Sequence, residues 1–268
     1  MMRFFGFALL ICGVLFTLTP LYAQSLNFGA GDTPIEIFAD NGIEWQQDSL
    51  VFVARGNARA VRGAVNVDAD ELRAYYRKLP DGKTEIWRLD ALKKVKIISG
   101  EGTAYGDHAV YNVDAGILTI TGKNLRLVSG SDWLTAQDQL EYWEAKQMAV
   151  ARGKAVAKRE AKKLNGDVLA AYFRKNKKGE TKIYRVDAFD NVKVKTDQDE
   201  ATSNRGVYNV ESGIATLTGS VKIIRGKNVL RGCSAEVNLN TGISRLHSCK
   251  QGGTRVKGMI LPTPKKKN

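Results

Sequence analysis

The sequence predicts an all-β protein, a roll or jelly roll of antiparallel strands, and three observations carry that prediction. Short stretches alternate apolar and polar residues with period two, Gly- and Asn-rich turns separate them, and one set of strands occurs twice. The repeat is the strongest signal. Asp70 to Gly122 aligns with Asp167 to Gly219 at a constant offset of 97 residues without a gap, and 24 of the 53 pairs are identical. Chance at ordinary composition gives roughly three or four identities. A supersecondary unit used twice buries a continuous core by stacking on its copy. The copies are therefore expected to form one winding sheet, since no Pro- or Gly-rich linker separates them.

In chain order, the first segment is an export signal. Met1-Met2-Arg3 is a short positive start, Phe4 to Leu18 is almost wholly apolar, and Ala23 offers a small residue for cleavage, so residues 1–23 read as a signal peptide. The alternative is an uncleaved anchor, against which stands an apolar run shorter than the roughly 20 residues of a bilayer span. Residues 24–33 are expected to be a flexible N-terminus, 34–250 a continuous roll, and 251–268 a flexible basic tail ending in Lys265-Lys266-Lys267.

Within the roll, Leu50-Val51-Phe52-Val53 and Ala54-Arg55-Gly56-Asn57-Ala58 form a hairpin-like unit ahead of the first copy. Val95-Lys96-Ile97, Leu118-Thr119-Ile120 and Leu125-Arg126-Leu127 then alternate, as do Val192-Lys193-Val194 and Val221-Lys222-Ile223. Period-two alternation puts the apolar side chains on one sheet face and Lys, Arg and Thr on the other. Pro80-Asp81-Gly82, Ser129-Gly130-Ser131-Asp132 and Lys178-Gly179 supply the turns. Only Gln137 to Ala151 offers a helical face, through Leu140, Trp143 and Met148. Strand is preferred there because the second-copy stretch Ala235 to Gly242 alternates cleanly.

The chain has 41 Lys and Arg against 28 Asp and Glu, a formal charge of +13, with 43% hydrophobic residues. Such a composition supports a core and excludes wholesale disorder. A basic excess invites a nucleic-acid reading, but export argues against it and lowers the excess to +12 by removing Arg3. Export also leaves an even cysteine pair, Cys233 and Cys249, where disulfides persist. A bridge between them is the leading reading; two buried thiols are the alternative.

Catalytic patterns are missing. His108 and His247 lack zinc-ligand spacing, so no metal site is expected; His108 aligns with Arg205 and reads as a solvated strand or turn residue. Gly100-Glu101-Gly102 with Gly106 lacks dinucleotide-loop spacing and a following helix, and neither a nucleophile elbow nor a phosphate loop occurs. Asp68 and Asp70 can serve a sugar hydrolase only if another acid pair faces them; a recurrent turn-to-strand position explains them more simply. Trp45, Trp87, Trp133 and Trp143 read as packing residues rather than a sugar platform. No enzyme activity and no cofactor are expected. What remains is a binding surface: an apolar lining able to solvate acyl chains at about 0.8 kcal/mol per methylene, with basic strand margins for phosphates or acidic sugars.

Several stretches resemble the OstA-like periplasmic proteins of lipopolysaccharide transport, the LptA type. Pro34-Ile35-Glu36-Ile37-Phe38-Ala39-Asp40 is similar to that family's first strand and Ala-Asp signature, Gly56-Asn57-Ala58 to its Gly-Asn-Val turn, and Val67-Asp68-Ala69-Asp70-Glu71-Leu72 to its next strand. Thr135 to Leu140 and Ser234 to Val237 echo the same cadence. Ala58 departs from the usual Val, and the repeat and tail lengthen the pattern. The resemblance implies an open, twisted β-jelly roll, or β-taco, in the periplasm, whose apolar groove receives the acyl chains of lipopolysaccharide. It implies partners with related rolls in the inner and outer membranes, and head-to-tail self-association. Alternation within the roll nominates Val65, Val67, Leu72, Leu118, Ile120, Leu125, Leu127, Leu217, Val221 and Ile223 as groove residues. An envelope scaffold that pairs sheet edges without carrying lipid is the competing reading.

Overall fold

The computed structural model describes residues 34–100, 102–177, 181–196, 199–249 and 255–260. The expected signal peptide, the flexible N-terminus, the Lys178-Gly179 turn and the terminal lysines lie outside them. The described chain is all-β. Its strands are β1 (Glu36–Phe38), β2 (Ile43–Gln46), β3 (Val51–Arg62), β4 (Val65–Lys78), β5 (Thr84–Ser99), β6 (Gly102–Asn112), β7 (Ile117–Thr121), β8 (Arg126–Ser129) and β9 (Asp132–Thr135). There follow β10 (Gln139–Trp143), β11 (Met148–Arg159), β12 (Lys162–Lys175), β13 (Thr181–Lys195), β14 (Asp199–Asn209), β15 (Ile214–Arg225), β16 (Asn228–Asn238), β17 (Ser244–His247) and β18 (Lys257–Met259). The stretch with a possible helical face is β10 and β11, as its second-copy counterpart indicated.

All eighteen strands belong to one antiparallel meander. The short pairs β1/β2, β7/β8, β9/β10 and β17/β18 each act as one broken rung, because both members pair with different halves of the same neighbour: β7 with His108 to Asn112 of β6, and β8 with Gly102 to Tyr105. Where alternation suggested many short strands, most rungs are long strands creased at mid-length. Register shifts mark the crease between Arg55 and Ala58, Leu92 and Val95, Arg152 and Ala155, and Phe189 and Val192. Each β-bulge bends its strand, and a bend repeated on every rung folds the sheet into two facing half-sheets.

The crease explains the Ala-Asp cadence. An Asx residue on one rung sits over a left-handed residue on the next: Asp40 accepts from Nδ2 of Asn57 at 2.7 Å, Asp70 from Nζ of Lys94 at 3.1 Å, Asp167 from Nδ2 of Asn191 at 2.8 Å. Asn57, Lys94 and Asn191 have φ of 43°, 49° and 50°. Short polar side chains thereby satisfy backbone and side-chain groups released by the bulge. Beside them, alanine lets the half-sheets meet closely: Ala58, Ala151, Ala155 and Ala235 are fully buried.

The crease also shows that the repeat reaches further than Asp70 to Gly122. β3 and β11 bulge at positions 97 residues apart, Arg55/Ala58 and Arg152/Ala155. Pairing of β7 with β10 and of β9 with β11 joins the copies without interrupting the sheet. At the far end, Lys257–Met259 inside the expected flexible tail pairs as β18 with Val229 to Arg231. Cys233 and Cys249, bonded to each other with Cα atoms 5.1 Å apart, hold the chain beside β16 just before that return.

Candidate functional site

Alternation and the crease together place the apolar side chains of both half-sheets inside the fold. Of the ten groove candidates, Val65, Leu72, Leu118, Ile120 and Leu125 are buried in one large cluster, with Val67 and Leu127 half-buried against it. Leu217, Val221 and Ile223 form a second cluster with Ala235, nearer the C-terminal end. All ten thus lie on the inner face, and the structure gathers them in two groups rather than one. They are packed on one another, Leu125 and Val221 being only 2% exposed, so the interior is a closed apolar seam.

Alternation nominated only large residues and missed the alanines that share their face. Ala54, Ala69, Ala91, Ala109 and Ala188 are buried in the same cluster. Small residues along the seam leave little side-chain volume to displace, which is what an interior able to accept a chain-like ligand requires. Their positions two residues from larger apolar groups were readable in the sequence.

The outer faces of the half-sheets differ. On one, cross-strand pairing aligns Val53, Arg73, Asp90, Val110, Thr119, Glu141, Val150, Ala170 and Asp187 in a single row. Three carboxylates in it are buried and clamped by arginine. Arg88 holds Asp90 at 2.6 and 2.8 Å, Arg152 holds Glu141 at 2.5 Å, and Arg185 holds Asp187 at 2.6 and 2.7 Å. Burial by itself pushes the Glu141 carboxyl up, but hydrogen bonds from Arg152, Trp143 and Gln139 outweigh it and hold it below the ordinary carboxylate value. Arg88 and Arg185 also lie over Tyr75 and Tyr172, at 5.5 and 5.4 Å from the ring centroids, so this Tyr–Arg–Asp arrangement is duplicated. These groups are structural clamps, each with its partners assigned.

Residues considered for chemistry are dispersed. Asp68 pairs with Arg59 at 2.6 Å and Asp70 with Lys94 at 3.1 Å, so neither faces a second acid pair. His108 is half-exposed on β6 with Nε2 4.0 Å from Asp90, which places it in the outer carboxylate cluster instead of in free solvent. Among the described residues, no group of three or more His, Cys, Asp and Glu is arranged to hold a metal ion. Trp87, Trp133 and Trp143 are half-buried, whereas Trp45 on the edge rung is 59% exposed while still stacking on Phe52, ring centroids 5.3 Å apart, with Nε1 donating to the Tyr76 hydroxyl at 2.7 Å. Among the described residues no strand lies outside β2 to cover it.

A sequence profile of the family described as "LptA/(LptD N-terminal domain) LPS transport protein" matches twice, at residues 36–138 and 134–243. The chain belongs to this family. The two matches divide the roll near the start of β10, so one chain carries two LptA/LptD N-terminal units merged into a single sheet. The family is one of transport proteins rather than enzymes. A curated relative, an uncharacterized protein of Rhizobium meliloti (strain 1021), is 25% identical over 131 residues, covering 47% of this chain and 69% of that protein. Among solved structures, LptH of Pseudomonas aeruginosa, described as the LptA-homologous periplasmic component of the conserved lipopolysaccharide transport device, is 13% identical. That comparison covers 86% of this chain and 96% of the other, with a TM-score of 0.22.

Proposed function

We propose that this protein is a periplasmic component of the lipopolysaccharide export bridge, holding acyl chains between its half-sheets. The single observation that carries the reading is an apolar inner face that runs through both family units in two clusters and is lined at the crease by alanine. Val65, Val67, Leu72, Leu118, Ile120, Leu125 and Leu127 contact the acyl chains in the first unit, and Leu217, Val221 and Ile223 do so in the second. Because these side chains pack on one another, lipid is admitted when the half-sheets part about the crease. Each methylene moved from water into the seam contributes about 0.8 kcal/mol.

The end rungs suit the bridge. Among the described residues, β1 and β2 pair only with β3, and β17 and β18 only with β16. Phe38, Ile43 and Trp45 at one end, and Met259 and Ile260 at the other, are more than half exposed. Open edges with apolar side chains favour strand addition. Related rolls on inner- and outer-membrane proteins, or a second copy of this chain, are the proposed partners. With neighbouring rungs about 4.8 Å apart, the doubled roll extends on the order of 60 Å along its axis.

Photo-crosslinking residues at Leu118 and Ile223 in the native host provide the test. Lipopolysaccharide adducts at both positions are expected, and lipid should also be recovered by mass spectrometry from the purified mature protein. Protein adducts alone, with no bound lipid, would replace this reading with the edge-pairing scaffold.

A further inference from the structure

The two copies diverge at one place, and a cleft forms there. In the second copy Thr218-Gly219-Ser220-Val221 crosses the crease within a single strand, β15. In the first copy Thr121-Gly122-Lys123-Asn124-Leu125 contains one more residue, and the rung breaks into β7 and β8. Beside the break lies an open cleft of about 730 Å³, whose cationic rim is Lys94, Lys96, Lys123 and Arg126, with Tyr105 and Asp107 between them.

The cleft is on the outside of the roll. Lys96, Tyr105 and Arg126 are directly paired across the sheet, while their chain neighbours Ile97, Ala104 and Leu127 pack in the interior. Strand alternation therefore puts the cleft on the face opposite the apolar seam, and the inference does not depend on what that seam carries.

Its charge is not neutralised as it is in the second copy. There, Lys193, the counterpart of Lys96, pairs with Glu200 at 2.8 Å, and Lys222, which occupies Arg126's place in the register, also acts electrostatically on that carboxylate. At the same offset the first copy has Gly102 and Thr103 instead of Asp199 and Glu200. Lys94 and Lys123 are replaced by Asn191 and Ser220 in the second copy. Among the described residues, Lys96, Lys123 and Arg126 have no ion-pair partner. Asp107 is turned to the loop, its Oδ2 accepting from the Lys123 backbone N–H at 2.8 Å. Arg126 is set in place by stacking over Tyr105, 4.3 Å from the ring centroid, which leaves its N–H fork directed by a ring rather than by a carboxylate.

The geometry points to a phosphoryl-binding site in the first copy, formed by Lys96, Lys123 and Arg126 with Lys94 at its margin. Several ammonium donors and one planar guanidinium converging from two rungs, β5 and the broken β7/β8 rung, suit a multiply charged tetrahedral anion. The phosphoryl group reaches it either on a soluble molecule or on a lipid headgroup presented by a bilayer.

The test uses the full mature chain. Inorganic pyrophosphate is titrated calorimetrically at low salt, and flotation with phosphatidic acid vesicles, against phosphatidylcholine vesicles, separates a soluble from a bilayer source. Saturable binding in at least one arm is expected, weakened about tenfold or more by Lys123→Ser with Arg126→Gln, and weakened likewise by deletion of Asn124, which restores the second copy's loop length. Lys193→Gln with Lys222→Gln removes the same charge from the second copy and should leave binding unchanged. Absence of binding in both arms, or equal loss from the two charge-matched double variants, overturns the site and leaves only a general basic surface.

Discussion

Arg185 donates Nε to Oδ1 of Asp187 at 2.6 Å and Nη2 to Oδ2 at 2.7 Å, and the carboxylate held this way is 1% exposed on the outer face of the sheet. A buried carboxylate with both oxygens occupied costs little; one deprived of its fork costs a great deal. Arg185→Met should therefore destabilise the protein more than Asp187→Asn with Arg185→Met combined. The single change is expected to cost about 2–4 kcal/mol, discounted because the arginine is partly in water. Thermal unfolding of the single and double variants measures the difference.

Glu141 supplies the corresponding pH dependence. Its carboxyl is held below the ordinary value because hydrogen bonds from Arg152, Trp143 and Gln139 outweigh the opposing effect of burial. A carboxylate whose folded value is depressed contributes stability that is complete above its unfolded value, near 4.5, and is lost as pH falls through the folded value. Glu141→Gln should accordingly narrow the stability gap to wild type between neutral pH and pH 3. Urea unfolding at several pH values tests this; a pH-independent gap would remove the carboxylate from the account.

Gly106 is a close-approach position at the crease. A methyl group there would come within 2.4 Å of Cγ2 of Ile120 and 3.2 Å of Cδ2 of Leu125. The second copy has Ser203 in the corresponding place, buried with Oγ donating to the Arg205 carbonyl at 3.0 Å; there Leu217, without a Cβ branch, stands in for Ile120, and Val221 for the bulkier Leu125. Gly106→Ala should cost about 1–3 kcal/mol through overpacking, and Ile120→Leu, which removes the clashing Cγ2 and installs the residue the second copy carries there as Leu217, should recover part of it. Thermal denaturation of the pair reads the rescue.

The crease is also where sequence reading stopped short. Period two survives on both sides of a bulge, so Val95-Lys96-Ile97 and Leu118-Thr119-Ile120 were correctly placed as strands with apolar faces inward. The bulge itself shifts the alternation by a residue, and each long rung consequently reads as two short strands with a turn between. Gly56-Asn57 looks like a hairpin turn for the same reason, since a left-handed residue is required in either case. The repeat was legible because 24 of its 53 aligned positions are identical, among them the core pairs Leu72/Leu169, Ala91/Ala188 and Val95/Val192, but its upstream extension into β3 and β11 emerges only when their bulges are compared. The outer clamps Arg88–Asp90 and Arg185–Asp187 were within the aligned repeat, yet charged pairs two residues apart on a strand read as solvated until neighbouring rungs are seen to cover them.

The disulfide gives a local prediction. Cys233 lies on β16 and Cys249 follows β17, 16 positions apart in sequence, so the crosslink closes a short loop worth about 3 kcal/mol by chain entropy. What it restrains is the end of the roll: β17 pairs with Ser234 to Val237 and β18 with Val229 to Arg231. The large cluster from β3 to β13 does not depend on that contact. Cys233→Ser with Cys249→Ser should therefore accelerate amide exchange in β17, β18 and the outer half of β16 while leaving β4 to β6 protected. Hydrogen exchange followed by mass spectrometry resolves the two regions. Uniform loss of protection would mean that the last rung supports the entire roll, whereas selective loss identifies it as an edge that the disulfide holds ready for a neighbouring strand.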